Sequence, residues 1–161
     1  MRSAFLFENE LRDLIHALKY RGAAAVAHAL APRMAAAWRT YGFDSQLLVP
    51  VPLHPRREAR RGYNQAYLLA AALSPYIDVP VAPRLLERTR HTPSQTQFNL
   101  EERRQNVNGA FAVAGDFDLT GYKVTLVDDV ATTGSTLNAC AETLLAVNAT
   151  SVSAFTLARA P

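Results

Sequence analysis

The chain has 161 residues, of which 49% are hydrophobic, enough for one substantial core and, on length, a single domain over residues 1–161. Its one cysteine, Cys140, excludes a disulfide framework and a cysteine zinc cluster, and the apolar tracts are too interrupted to cross a membrane. A net charge of +3 with a pI near 9.3 permits an anionic ligand or nucleic acid without demanding either.

In chain order, the acids Glu8, Glu10 and Asp13 follow Met1 and Arg2 too closely for a secretory leader, so a cytoplasmic location is expected. Leu11, Leu14, Ile15 and Leu18 fall at helical spacing, and Lys19-Tyr20-Arg21-Gly22 ends the pattern with cations and a glycine, which predicts an amphipathic helix over residues 8–20. A second helix, over about residues 23–39, places Val26, Leu30, Met34 and Trp38 four apart, and Pro32 is expected to kink or divide it. His16 and His28 in these helices read as surface or boundary residues rather than ligands.

Leu47 to Pro52 reads as a short buried strand ending in proline-rich turn chemistry. It leads into Leu53-His54-Pro55-Arg56-Arg57, a compact loop with two arginines; the nearby X-Pro bonds favour a fixed backbone, with a cis bond among the options. A helix over residues 60–73 then holds Gly62-Tyr63-Asn64-Gln65 in its first turns and stops at Ser74-Pro75. Tyr63, Asn64 and Gln65 suit recognition of a base and plain packing or capping equally well. Val79 to Val81 suits a short strand, and Leu85-Leu86 begins an edge element.

Residues 88–108 are polar, charged and nearly without apolar periodicity, too long for an ordinary connection, which fits either a lid over a charged ligand or disorder. Asn99 and Glu102 have the spacing of a helix start within it. Fifteen arginines stand against two lysines in the chain, and nine of the arginines fall between Arg56 and Arg104. That clustering matters because guanidinium groups grip phosphate in bidentate fashion. Residues 109–113 should return the chain to the sheet, and residues 115–121 should form the next turn.

The most informative stretch is Val124 to Thr136, V-T-L-V-D-D-V-A-T-T-G-S-T. Val124 to Val127 suits a strand buried on both faces of a parallel sheet, and such strands present ligands at their carboxyl ends. Leu137, Cys140, Ala141, Leu144 and Leu145 then form one apolar helix face, so Val130 to Gly134 is a strand-to-helix turn. Free N–H groups at the start of that helix suit a phosphate, and small residues let it approach. The turn has no lysine and is not a Walker A loop, and Asp128 and Asp129 beside it favour a sugar phosphate over a triphosphate. Cys140 lies on the apolar face as a core thiol, and Ser151 to Ala158 is the last strand.

With two acids, a short loop and Thr-Gly-x-Thr after an apolar strand, residues 124–136 resemble the phosphoribosyl pyrophosphate (PRPP) motif of type I phosphoribosyltransferases. Lys19-Tyr20-Arg21-Gly22 and residues 49–65, 88–111 and 124–136 extend the resemblance, in order and spacing, to the ComF competence-associated branch over nearly all of the chain. The resemblance implies a doubly wound α/β domain with a mainly parallel sheet and a flexible hood loop.

It also implies roles. Asp128 and Asp129 would hold the ribose hydroxyls, with Val130, Ala131, Thr132, Thr133, Gly134, Ser135 and Thr136 around the 5′-phosphate. Leu53, His54, Pro55, Arg56 and Arg57 would form the pyrophosphate loop, which faces the diphosphate if its strand neighbours the acidic one; a solvated basic turn is the other reading. Arg88, Arg90, Gln95 and Arg104 would belong to the flexible loop, and Asp128, Asp129, Arg90 and Arg104 would contribute to catalysis. The implied reaction passes ribose-5-phosphate from PRPP to a nitrogenous base, with Mg²⁺ mostly on substrate oxygens.

Two other roles stay open within the resemblance: a non-catalytic PRPP-binding regulatory module, and a nucleic-acid-binding accessory of DNA uptake with single-stranded DNA or the uptake machinery as partner. A homodimer is compatible with each. Two departures from the family pattern count. The N-terminal zinc ribbon of many members has no counterpart here, so zinc is not carried over; and Thr132 stands where 6-oxopurine enzymes place an aspartate, which disfavours hypoxanthine and guanine.

Overall fold

A computed structural model describes residues 1–6, 9–20, 23–90 and 109–160. The elements are β1 (Arg2–Leu6), α1 (Asn9–Tyr20), α2 (Ala23–Tyr41), β2 (Leu47–Pro50), α3 (Pro55–Arg61), α4 (Gln65–Ile77), β3 (Leu86–Arg88), β4 (Phe111–Val113), β5 (Lys123–Ala131), α5 (Ser135–Leu145) and β6 (Ser151–Arg159). Four strands form a parallel sheet in the order β1-β6-β5-β2, so β5 and β6 are its interior. Both carry apolar side chains on both faces, as a strand covered by helices on two sides must.

The sheet divides the core in two. On one face α1, α2 and α4 bury Leu18, Met34, Leu69 and Leu73 against Leu48, Val127, Phe155 and Leu157. On the other, α5 and the β3–β4 pair bury Leu137, Cys140, Leu144 and Phe111 against Val49, Val124 and Leu126. Helices on both faces of a parallel sheet make the doubly wound architecture expected from the sequence.

The elements differ from the sequence-based expectations at several points, each with a local cause. Pro32 does not divide α2; it lies on the exposed face, where the carbonyl deprived of its N–H partner reaches water. Residues 60–73 are not one helix: Gly62, at φ 86, ends α3 by donating its N–H to Glu58 O at 2.7 Å, and α4 begins anew at Gln65. Nor does Pro75 stop α4, which continues past this exposed proline to Ile77 and ends at Asp78 in the left-handed region. Val81 makes only an isolated bridge to Leu48.

Residues 111–113 do not rejoin the main sheet; β4 pairs antiparallel with β3, so the two ends of the segment between them are tied together. The sequence reading also missed β1, whose five residues carry little alternation and gain their place by pairing with β6.

Candidate functional site

The acid pair belongs to β5 rather than following it, because the strand continues to Ala131, with Asp128 opposite Thr156 and Val130 opposite Ala158 on β6. Successive residues of a strand point to opposite faces, and the two carboxylates accordingly part company. Asp128 lines a small cavity of about 70 Å³ together with residues 130–137. Asp129 is absent from that lining and only 5% exposed, and its Oδ2 lies 2.7 Å from Lys19 Nζ at the end of α1. Each carboxylate also accepts the N–H of the following residue, Asp129 to Asp128 Oδ1 at 2.8 Å and Val130 to Asp129 Oδ1 at 2.9 Å.

Burial first, then the charge of Asp129, pushes the Asp128 carboxyl well above the ordinary carboxylate range, while Lys19 pulls it the other way. A carboxyl whose pKa is raised on folding holds its proton more tightly in the folded state. Its contribution to stability is complete below the unfolded pKa and is lost as pH rises through the folded one. Asp128→Asn, which cannot ionise, should therefore melt at a higher temperature than the parent at about pH 8 and lose part of its pH dependence. Melting curves from about pH 5 to 8 check this; a variant that melts below the parent at the alkaline end would refute it.

Between β5 and α5 the chain turns through Thr132-Thr133-Gly134. Gly134 is the N-cap of α5 at φ 78, a conformation that favours glycine, and no side chain caps the helix. A Cβ added there would meet nothing within 4 Å, so glycine serves the backbone angle and leaves the cradle open. Thr133 Oγ1 and Ser135 Oγ are hydrogen-bonded at 2.9 Å, and the Ser135 N–H donates weakly to Thr133 Oγ1 at 3.4 Å. Uncapped N–H groups at the positive end of a helix are suited to a phosphate.

The basic segment before α3 is less of a loop than expected. Pro55 occupies the first turn of α3, and His54 caps it, its Nδ1 accepting the Arg56 N–H at 3.2 Å. Leu53 and His54 thus form the turn, and Arg56 and Arg57 belong to the helix. Among the described residues no peptide bond is cis. The segment does leave the sheet beside the acids: β2 pairs with β5, Pro50 opposite Val127, and the Val51 N–H donates to Val127 O at 2.9 Å.

Arg88, at the end of β3, is 9% exposed and stacks over the Phe111 ring at 5.4 Å. Burial and then the nearby Arg57 weaken its hold on its proton, against the pull of Cys140 and Asp128. Arg88 therefore lies close enough to both Arg57 and Asp128 to feel their charges. A cavity of about 620 Å³ runs between residues 52–55, Tyr67 and residues 83–89; it contains His54 and Arg88, but shares no lining residue with the cavity at Asp128. Arg90 is exposed. Gln95, Arg104, the helix start at Asn99 and Glu102, and Arg21 and Gly22 lie outside the described residues.

For Tyr63, Asn64 and Gln65 the structure decides in favour of packing and capping. Asn64 caps α4 through Oδ1 and the Ala66 N–H at 2.9 Å, and its Nδ2 donates to Val51 O at 3.0 Å. Tyr63 donates to Leu18 O at 3.1 Å, and Gln65 Oε1 accepts from Arg61. The residue that sequence reasoning missed is Lys19 as partner of Asp129. The available signal was compositional, since it is one of two lysines in an arginine-rich chain.

Residues 59–161 match the family model described as "Phosphoribosyl transferase domain". The chain is 41% identical over 116 residues to Competence protein F of Haemophilus influenzae, covering 71% of this chain and 51% of that protein. It is 35% identical over 154 residues to DNA utilization protein YhgH of Escherichia coli, covering 92% and 67%, and 32% identical over 165 residues to Competence protein ComFC of Bacillus subtilis, covering 98% and 63%. It thus spans about half the length of the first relative and about two thirds of the others. Among solved structures, a hypoxanthine phosphoribosyltransferase from Staphylococcus aureus superimposes with TM-score 0.53 at 14% identity, covering 86% of this chain and 65% of that one. An adenine phosphoribosyltransferase from Thermoanaerobacter pseudethanolicus gives 0.52 at 18% identity, covering 84% and 81%. At such identities the likeness is one of fold.

Proposed function

The chain belongs to the ComF branch of the phosphoribosyl transferase domain family, and from that premise we propose that it binds PRPP at the carboxyl end of β5 and transfers ribose-5-phosphate to a nitrogenous base. One observation carries the reading. Asp128 and the uncapped start of α5 line the same cavity, one short turn apart, which offers an acceptor for sugar hydroxyls and donors for a phosphate in one place. We further propose that residues 1–161 act as one domain.

In this reading Asp128 holds the ribose hydroxyls, residues 131–136 wrap the 5′-phosphate, and Asp129, expected from the sequence to share the ribose, stands behind the site because it faces Lys19 rather than the cavity. The diphosphate lies toward Arg57 and Arg88, whose charges gather at that end of the sheet. What the chain contributes to transfer is orientation of the sugar and stabilisation of charge on the departing pyrophosphate. In this reading the cation is bound chiefly by substrate oxygens and water rather than by a protein cage. Mg²⁺ so bound would neutralise charge on the diphosphate. With Thr132 in the turn where 6-oxopurine enzymes place an aspartate, hypoxanthine and guanine are disfavoured as acceptors.

PRPP with Mg²⁺ should raise the melting temperature, because a ligand selective for the folded state stabilises by mass action. At a hundredfold excess over Kd the gain is about 2.7 kcal/mol, which in a chain of this size is roughly 5–10 °C. An unchanged melting temperature at millimolar PRPP would overturn the proposal. Pyrophosphate release over a panel of bases then separates an enzyme from a binding module that never turns over.

The names of the relatives favour a second reading, a part in DNA uptake or use. Under it the arginines of residues 56–61 and 84–104 contact the phosphates of single-stranded DNA, and affinity should fall steeply with salt.

A further inference from the structure

Lys19 closes α1, far from the acid pair in sequence, yet its Nζ lies 2.7 Å from Asp129 Oδ2. That oxygen is buried and has no hydrogen bond of good geometry among the described residues, so the Lys19 ammonium is what meets its charge. The end of α1 is held in place on both sides of Lys19. The Tyr63 hydroxyl donates to Leu18 O at 3.1 Å, and the Arg61 guanidinium stacks over the Tyr20 ring at 5.6 Å.

We infer that Lys19 is a positioning residue for the ligand site: it holds the Asp129 carboxylate in place and so sets the geometry of Asp128 at the cavity. The inference rests on the PRPP reading. Without a counter-charge, a carboxylate as buried as Asp129 turns toward water or draws another donor to it. Either change is transmitted locally, because Asp129 Oδ1 accepts the Val130 N–H and the Asp129 N–H donates to Asp128 Oδ1. Val130 and Asp128 both line the cavity.

The residue type fits this role. Lysine presents a compact charge to a single carboxylate oxygen, whereas arginine favours a two-point grip for which Asp129 has no second free oxygen. The chain's other lysine, Lys123, pairs with exposed Asp44 at 2.5 Å on the surface. The charged and titratable groups acting on Asp128 are Asp129 of its own strand, Lys19 of α1, Arg88 of β3 and the Cys140 thiol of α5. Of the two cations, Lys19 is the one held against Asp129.

The test is PRPP affinity against pH for the full chain and for Lys19→Met and Lys19→Arg, with folding checked by circular dichroism. Loss of the ammonium, which pulls the Asp128 carboxyl downward, should move the acid limb of binding to higher pH, with a several-fold loss of affinity below the limb. Lys19→Arg, which keeps the charge but not the one-point contact, should hold the limb nearer its original place than Lys19→Met does. A folded Lys19→Met with unchanged affinity and an unchanged limb would overturn the inference while leaving PRPP binding intact. If Lys19→Met does not fold, amine labelling of the parent protein decides. PRPP should slow acylation of Lys19 several-fold with Lys123 as internal control, and labelling of Lys19 indifferent to bound PRPP would reduce the pair to a structural contact. A parent protein that binds no PRPP would overturn the proposed function itself, and this inference with it.

Discussion

Asp128→Asn combined with Asp129→Asn should weaken PRPP binding strongly while the protein still folds. A hydrogen bond to a charged group contributes roughly 1.5–3 kcal/mol, so Asp128 holding one ribose hydroxyl, with Asp129 orienting it from behind, is worth about that much. That corresponds to a loss of affinity on the order of ten- to a hundredfold. Additivity is weakened between neighbours in one hydrogen-bonded chain, which makes the double variant more informative than the sum of the singles. Folding survives because the two substitutions act in opposite directions on stability. Asparagine at Asp128 relieves a half-buried carboxyl whose desolvation disfavours its charge. Asparagine at Asp129 removes a charge from Lys19, whose side chain is 29% exposed and retains access to water. Thermal melting and PRPP titration on one sample read both quantities. A stable double variant with the parent's affinity would refute the assignment of Asp128 to the ribose.

Phe155→Ala should produce the largest loss of stability among single core substitutions. Phe155 is fully buried on β6 between β1 and β5, opposite Arg2 and Val127, and it meets the Trp38 ring edge-on at 5.4 Å and the Phe43 ring at 5.3 Å. Truncating a buried phenylalanine removes its transfer free energy and leaves a cavity, together about 3–5 kcal/mol. Against a typical stability of about 5–15 kcal/mol this is a large fraction, and the melting temperature should fall by roughly 6–20 °C. The folded fraction should keep its PRPP affinity, since Phe155 faces the helices rather than the cavity. A fall of less than about 2 °C would mean that Trp38 and Phe43 close over the gap.

Local chemistry made much of the site legible. In Val124 to Thr136 the strand, the left-handed step at Gly134 and the helix are legible from neighbours in sequence, but the strand runs on through both acids to Ala131 instead of ending at Val127, because pairing with β6 extends it. Likewise α1 declares itself by its periodicity. The helix break at Gly62 is signalled by its glycine, against which stands the alanine and leucine run that begins at Ala66. The prolines misled for the complementary reason: at exposed positions in α2 and α4 the lost hydrogen bond is made good by water, which no local pattern reveals.

The sequence by itself determined the family, the doubly wound parallel architecture and the stretch that carries the ligand chemistry, all of which follow from short-range patterns. Only the tertiary structure decided that Asp128 faces the cavity while Asp129 turns to Lys19, that β4 closes on β3 instead of the main sheet, and that Asn64 ties α4 to the end of β2. Each of these is a contact between residues on different elements. The side chains that make such contacts are chosen by how strands register and helices dock, which a periodicity within one segment does not encode.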